Sequence, residues 1–185
     1  LPVVESSEAT EGAVSIGDAT YSSLAKAVAA VPNNNVETTL VLNDDIDVAS
    51  KVIIDTNQNI KLDLNGHEIA VTTSQSIYLK GALTITDSST GGKIRGTGSS
   101  SASGIIWLTT QNTNPKLRLE GGELSSEKSA VLNITVPGGL FEMVGGKVES
   151  AKPINLTGGA TARITGGEVT STDGSANIAI NMVSN

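Results

Sequence analysis

The chain predicts an all-β fold: a right-handed, single-stranded parallel β-helix (solenoid) of about six three-strand rungs, with a short N-terminal capping α-helix. Three observations carry that expectation. Gly-Gly pairs recur, at Gly91-Gly92, Gly121-Gly122, Gly145-Gly146 and Gly166-Gly167, with Asn65-Gly66 in the same setting. Apolar-x-apolar triplets stand at fixed places around these pairs. Charged residues at one position of the repeat alternate in sign along the chain.

The repeats run 38–59, 60–82, 83–116, 117–139, 140–160 and 161–185. The first triplet of each is Leu40-Val41-Leu42, Leu62-Asp63-Leu64, Leu83-Thr84-Ile85, Leu117-Arg118-Leu119, Phe141-Glu142-Met143 and Ala162-Arg163-Ile164. A second segment follows each turn: Glu68-Ile69, Lys93-Ile94, Glu123-Leu124, Lys147-Val148 and Glu168-Val169. A third completes the rung: Val52-Ile53-Ile54, Ile77-Tyr78-Leu79, Ile106-Trp107-Leu108, Leu132-Asn133-Ile134, Ile154-Asn155-Leu156 and Ile180-Asn181-Met182. Alternation at period two marks strands with one apolar side. Three short strands cannot bury that side alone, whereas units stacked on a common axis bury it in one continuous core. The usual handedness of parallel crossovers makes the coil right-handed. The inward file expected from this alignment is Leu64, Ile85, Leu119, Met143 and Ile164. The 83–116 repeat is longer, with Gly/Ser/Thr-rich insertions at Asp87 to Thr90 and Gly96 to Ser103.

Charges support the register. The residue before the second-strand aliphatic reads Asp45, Glu68, Lys93, Glu123, Lys147, Glu168, and the first-strand outward position ends Arg118, Glu142, Arg163. Stacked strands lie about 4.8 Å apart, so each charge would neighbour its opposite.

The N-terminal part differs. Residues 1–12 read as an acidic flexible leader, lacking the charged and apolar regions of a secretory signal, so any such signal is expected to lie outside this sequence. Within 13–37, Ala13 to Gly17 predicts a strand and Thr20 to Val31 a helix, with Thr20 or Asp18 as N-cap and Pro32 beyond its end. Its apolar face would hold Tyr21, Leu24, Ala25, Val28 and Val31. A solenoid exposes its core at both ends, so this helix is expected to cover one of them. Residues 38–185 form the rungs, a single domain with the cap. The sequence stops inside what reads as a rung, which predicts either a longer native protein or an end covered by another copy.

Composition narrows the function. The 185 residues contain 15 Leu, 16 Ile and 16 Val against four aromatics, so the core is aliphatic. A net charge of −7 with only 12 Lys and Arg excludes the basic face a nucleic-acid binder needs. No apolar run reaches the roughly 20 residues of a membrane helix. The absence of Cys excludes disulfides and thiolate chemistry, and a single His excludes a His-rich metal centre.

Several segments carry a likeness to known proteins: Ile16-Gly-Asp-Ala-Thr-Tyr-Ser-Ser-Leu-Ala-Lys-Ala-Val28, Ile60-Lys-Leu-Asp-Leu-Asn-Gly-His-Glu-Ile69, Leu83-Thr-Ile-Thr-Asp-Ser-Ser89 and Gly91-Gly-Lys-Ile94. From about residue 13 the chain resembles the right-handed parallel β-helix superfamily that includes pectate lyases, and more narrowly a bacterial cell-surface or secreted β-helix module. The resemblance implies an extracellular or surface location and a scaffold or adhesive role within a larger protein with further domains.

Candidate sites follow from the columns. The third-strand outward column reads Ile53, Tyr78, Trp107, Asn133, Asn155, Asn181, so Tyr78 and Trp107 would project from adjacent rungs. Aromatic faces beside amides suit sugar rings, which makes this pair the ligand-binding candidate, for a polysaccharide or a host or cell-surface glycan. The competing reading is that the rings stack on each other or lie under the 96–104 insertion. The three Asn are expected to form a cross-rung amide ladder. Asp44, Asp45 and Asp47 are the one dense acidic group; they read as a solvated turn, with calcium binding left open. His67 reads as a turn residue. Adjacent rungs lack the carboxylate column of a lyase or glycosidase, so no catalytic residue, metal or cofactor is expected. The function expected is a non-catalytic surface module for adhesion or glycan contact; the alternatives are a lyase- or hydrolase-like enzyme and a passive spacer.

Overall fold

The computed structural model describes residues 12–72, 77–97, 104–108, 113–127, 130–173 and 180–183, the last three by their backbone alone. The expected leader therefore lies almost wholly outside the described residues, as does most of the second insertion. The alternating segments fold as short strands in three parallel sheets. The first sheet stacks Glu37–Leu42, Asn59–Asp63, Ala82–Thr86, Lys116–Leu119, Leu140–Met143 and Thr161–Ile164. The second stacks Ile46–Val48, Glu68–Val71, Lys93–Gly96, Glu123–Ser126, Lys147–Ser150 and Glu168–Ser171. The third stacks Val52–Ile54, Ile77–Leu79, Ile106–Leu108, Leu132–Ile134, Ile154–Thr157 and Ile180–Val183. The chain visits the three sheets in rotation, and so winds a parallel β-solenoid of about five turns.

The register follows the predicted columns. Lys93 pairs with Glu68 and Glu123, and Lys147 with Glu123 and Glu168. Arg118 pairs with Glu142, and Glu142 with Arg163. On the third sheet Tyr78 pairs with Ile53 and Trp107, Trp107 with Asn133, and Asn133 with Asn155.

The inward file needs one correction. On the first sheet Leu40, Leu62, Ile85, Leu119, Met143 and Ile164 stand opposite one another, so Leu62, not Leu64, is the member from the second coil. A run such as Ile60-Lys61-Leu62-Asp63-Leu64 contains two overlapping triplets, and a shift of two residues keeps every side chain on its own side of the sheet. Leu64 is fully buried nonetheless, but at the corner, where an added Cβ on Gly92 would meet it. The early corners are longer than the later ones, where Gly121-Gly122, Gly145-Gly146 and Gly166-Gly167 link the sheets directly. In the long third corner Asp87 organises the chain: its carboxylate accepts from the backbone N–H groups of Gly66 and Gly92 at 2.7 and 2.8 Å.

The core runs the length of the coil. Buried residues from Val14 to Leu156 form one apolar cluster, with Phe141 wholly enclosed among aliphatic neighbours. That continuity is what the stacking of incomplete units requires.

The N-terminal cap is shorter than the sequence predicts. Strand β1 (Val14–Ile16) turns at Gly17-Asp18 into β2 (Ala19–Tyr21), an antiparallel hairpin laid against Val41 and Leu42 of the first sheet. Gly17 takes φ +55°, the left-handed value that a two-residue hairpin loop favours at its first position. Thr20 and Tyr21 are thereby drawn into the strand. Helix α1 (Leu24–Ala30) starts only after Ser23, whose hydroxyl accepts from the N–H of Lys26. Its buried face is Leu24, Ala27 and Val28, continued by Val31 at the C-cap; Ala25 is exposed, and Ala27 stands on the buried face in its place. The opposite end is less covered. Ile164 is 39% exposed, whereas its counterparts in the five preceding coils are at most 2% exposed.

Candidate functional site

In the third sheet, from Val52–Ile54 to Ile154–Thr157, the residue between the two core aliphatics lies on the outer face, although Asn133 is nearly buried there. Tyr78 and Trp107 accordingly lie side by side on the outer face, both half-buried, with ring centroids 5.6 Å apart and planes tilted by 45°. Nζ of Lys51 sits over the Tyr78 ring, 4.0 Å from its centroid. Lys51 and Ile53 both face outward from Val52–Ile54, so Lys51 is the diagonal neighbour of Tyr78 across one rung. Ile53 is 42% exposed and continues the same surface. Beyond Trp107 the column turns to amides, and Nδ2 of Asn155 donates to Oδ1 of Asn133 at 2.7 Å. The ladder expected at these two positions is formed, while the side chain of Asn181 lies outside the described residues. The indole N–H of Trp107 is buried with no partner among the described residues. Of the 96–104 insertion that the competing reading folds over the aromatics, residues 98–103 also lie outside them.

Next to Lys51 the surface falls into a cleft of about 420 Å³ between α1 and the first strand of the third sheet. Ala25, Ala29 and Ile53 supply its apolar walls, and Asn33, Lys51 and Asp55 its polar groups. Asp55 is engaged by Lys80 at 2.9 Å. Lys51 makes no ion pair with a described residue; its ammonium has the ring on one side and solvent on the other.

The acidic candidates serve the corners. Asp44 accepts the N–H of Asp45, and Asp45 accepts the N–H of Glu68 at 2.8 Å while standing 3.3 Å from Nδ1 of His67. Asp47 is exposed on the outer face. Among the described residues no group of three or more His, Cys, Asp or Glu is arranged to hold a metal ion. His67, predicted as a turn residue, is one.

Charge on the other two faces is organised into cross-rung pairs. Glu68 receives Lys93 at 3.1 Å and Arg95 at 2.7 Å. Burial pushes its carboxyl up, but the hydrogen bonds and charges of Lys93 and Arg95 outweigh burial and hold it below the ordinary glutamate value. Glu120 is likewise lowered, first by its hydrogen bond from Arg118, against burial, and then by Lys61. Lys61 reaches Glu120 from two rungs away, at 3.5 Å, past the short side chain of Thr84 between them. Asp63 is lowered by donors from Ser88 and Asn65, which overcome its own desolvation. A second surface groove, of about 430 Å³, runs along the second sheet beside Arg95, Ser125, Glu127 and Glu149. Arg95 is held there by Glu68, and Glu149 by Lys147.

Lys51 and the cleft are the parts of the site that the sequence reading did not find. The signal for Lys51 was present, since it lies two residues before Ile53 in the very column that named Tyr78. The cleft had none, because it depends on where α1 packs. Comparison with known protein families, with curated proteins and with solved structures finds no match to this chain.

Proposed function

We propose that this chain is a non-catalytic module displayed at a bacterial surface, whose third-sheet face contacts a glycan. The observation that carries this reading is the outward file Ile53, Tyr78, Trp107 and Asn155, with Asn133 nearly buried between the last two, which sets apolar ring surface and an amide group in one line along the solenoid axis. A sugar ring offers C–H faces and hydroxyls in the same succession, and it matches both. Many of the described carboxylates that an enzyme of the lyase or glycosidase type would need are instead engaged in ion pairs within and between rungs and in corner turns. The extracellular location rests on the likeness of the quoted segments to surface-displayed solenoids. Attachment to further domains of a larger protein rests on the same likeness.

The test is retention on immobilised plant, host and bacterial polysaccharides. Wild-type protein is expected to be retained on at least one of them, and Trp107→Ala, with an unchanged circular dichroism spectrum, to be retained less. Absence of retention on every glycan removes the binding reading and leaves a rigid spacer, which the face-covering contact of Lys51 on Tyr78 would then serve as packing. Product formation from any polysaccharide, with or without added calcium, would move the protein to the enzymes.

A further inference from the structure

The outward file has a polarity that the aromatic pair alone does not reveal. At its α1 end stands the ammonium of Lys51, exposed, 4.0 Å from the Tyr78 centroid and without an ion-pair partner among the described residues. The neighbouring cation, Lys80, is compensated by Asp55. In the middle stand Tyr78 and Trp107. The far part, Asn133 and Asn155, is uncharged. The cleft at the Lys51 end, with Asn33 on its rim and Ala25, Ala29 and Ile53 as walls, gives a terminal group a place to lodge.

We propose that the glycan bound on this face carries one anionic group, a carboxylate or a sulfate, on its terminal unit, and that Lys51 reads it at the mouth of the cleft while neutral sugars lie over Trp107 and toward Asn155. The inference rests on the glycan reading and names the class of sugar that reading leaves open. An ammonium held against a ring is positioned in advance, since the ring attracts the cation and restricts its motion. The chain as a whole is charged −7. At physiological salt, charges more than about 8 Å away are largely screened, so Lys51 governs its own neighbourhood, and the uncharged far part of the file offers further anionic groups no partner. The ligand is therefore acidic at one end only.

The experiment uses matched oligosaccharides on an array: neutral, the same with one terminal uronate, the same with one terminal sulfate, and a polyuronate. Wild type is expected to retain the singly charged forms about fivefold over the neutral ones, the strength of one exposed charge pair, with the preference fading as salt is raised. Lys51→Met should erase the preference, read as the ratio of charged to neutral retention within each variant, while Trp107→Ala lowers retention of all of them. A stronger uronate or sulfate arm identifies which anion the site takes. No preference in wild type, a preference that survives in Lys51→Met, or best retention of the polyuronate would overturn the inference and leave the glycan reading intact. Loss of every signal in wild type would instead remove the reading beneath it.

Discussion

The side-chain amide of Gln58 donates to the carbonyl oxygen of Val31 at 2.8 Å, fastening the end of α1 to the first coil of the solenoid. Its second hydrogen goes to the carbonyl of Val28 at 2.9 Å, and its oxygen accepts the N–H of Asp55 at 2.8 Å. Gln58 is 6% exposed, so each of these groups lacks water as an alternative. Gln58→Ala is expected to destabilise the protein by about 2–3 kcal/mol. Hydrogen exchange should show α1 opening before the rungs. Exchange in α1 unchanged by the substitution would remove the amide as the fastener.

Gly146 and Gly159 share a left-handed backbone, with φ of +76° and +79°, but differ in surroundings. A Cβ on Gly146 would stand 2.6 Å from the carbonyl oxygen of Gly122 one rung below, whereas one on Gly159 would meet nothing within 4 Å. Gly159→Ala should cost about 1–2 kcal/mol, the price of the backbone conformation alone. Gly146→Ala should cost more, because the rungs must also part. Equal losses in urea unfolding would show that close approach of the coils adds nothing.

Asn133 is nearly buried, and Asn155 supplies a hydrogen to its carbonyl oxygen. Asn155→Ala leaves that oxygen unpaired and is expected to cost about 1–3 kcal/mol. Changing both residues to Leu removes the acceptor with the donor and should recover most of the loss. A double variant no better than the single one would show that the pair contributes through packing rather than hydrogen bonding.

Glu68, Glu120 and Asp63 all titrate below their ordinary values of 4.5, 4.5 and 3.8 in the folded chain. The unfolded chain therefore takes up protons first as pH falls, so the stability these groups contribute is present above those values and is lost as pH drops through the lowered ones. The thermal midpoint should be level at neutral pH and decline between about pH 5 and pH 3. In Glu68→Gln the decline should be shallower and the stability at neutral pH lower, by no more than about 1 kcal/mol per pair. An acid limb that is unchanged in Glu68→Gln would exclude the Lys93 and Arg95 contacts as its source.

Repetition made the fold legible in the sequence. Because a parallel solenoid sets equivalent residues one above another, each column could be read by aligning the chain with itself, and the charged columns at Glu68, Lys93, Glu123, Lys147 and Glu168 then fixed which residues were equivalent. The same logic placed Tyr78 beside Trp107 and Asn133 beside Asn155. It failed at Leu64, where period two is blind to a shift of two. It failed at Thr20 and Tyr21, where a hairpin turn at Gly17 claimed residues that also suited a helix.

The order of the strands, the outward file of the third sheet and the aliphatic core were thus determined by the sequence itself, since they follow from periodicity along the chain. The tertiary structure alone decided where α1 rests, that a cleft opens between it and Ile53, that Lys51 lies over Tyr78, and that Lys61 reaches Glu120 past Thr84. Those features depend on the angle at which non-repeating parts pack and on the reach of long side chains between rungs, and neither quantity leaves a period in the sequence.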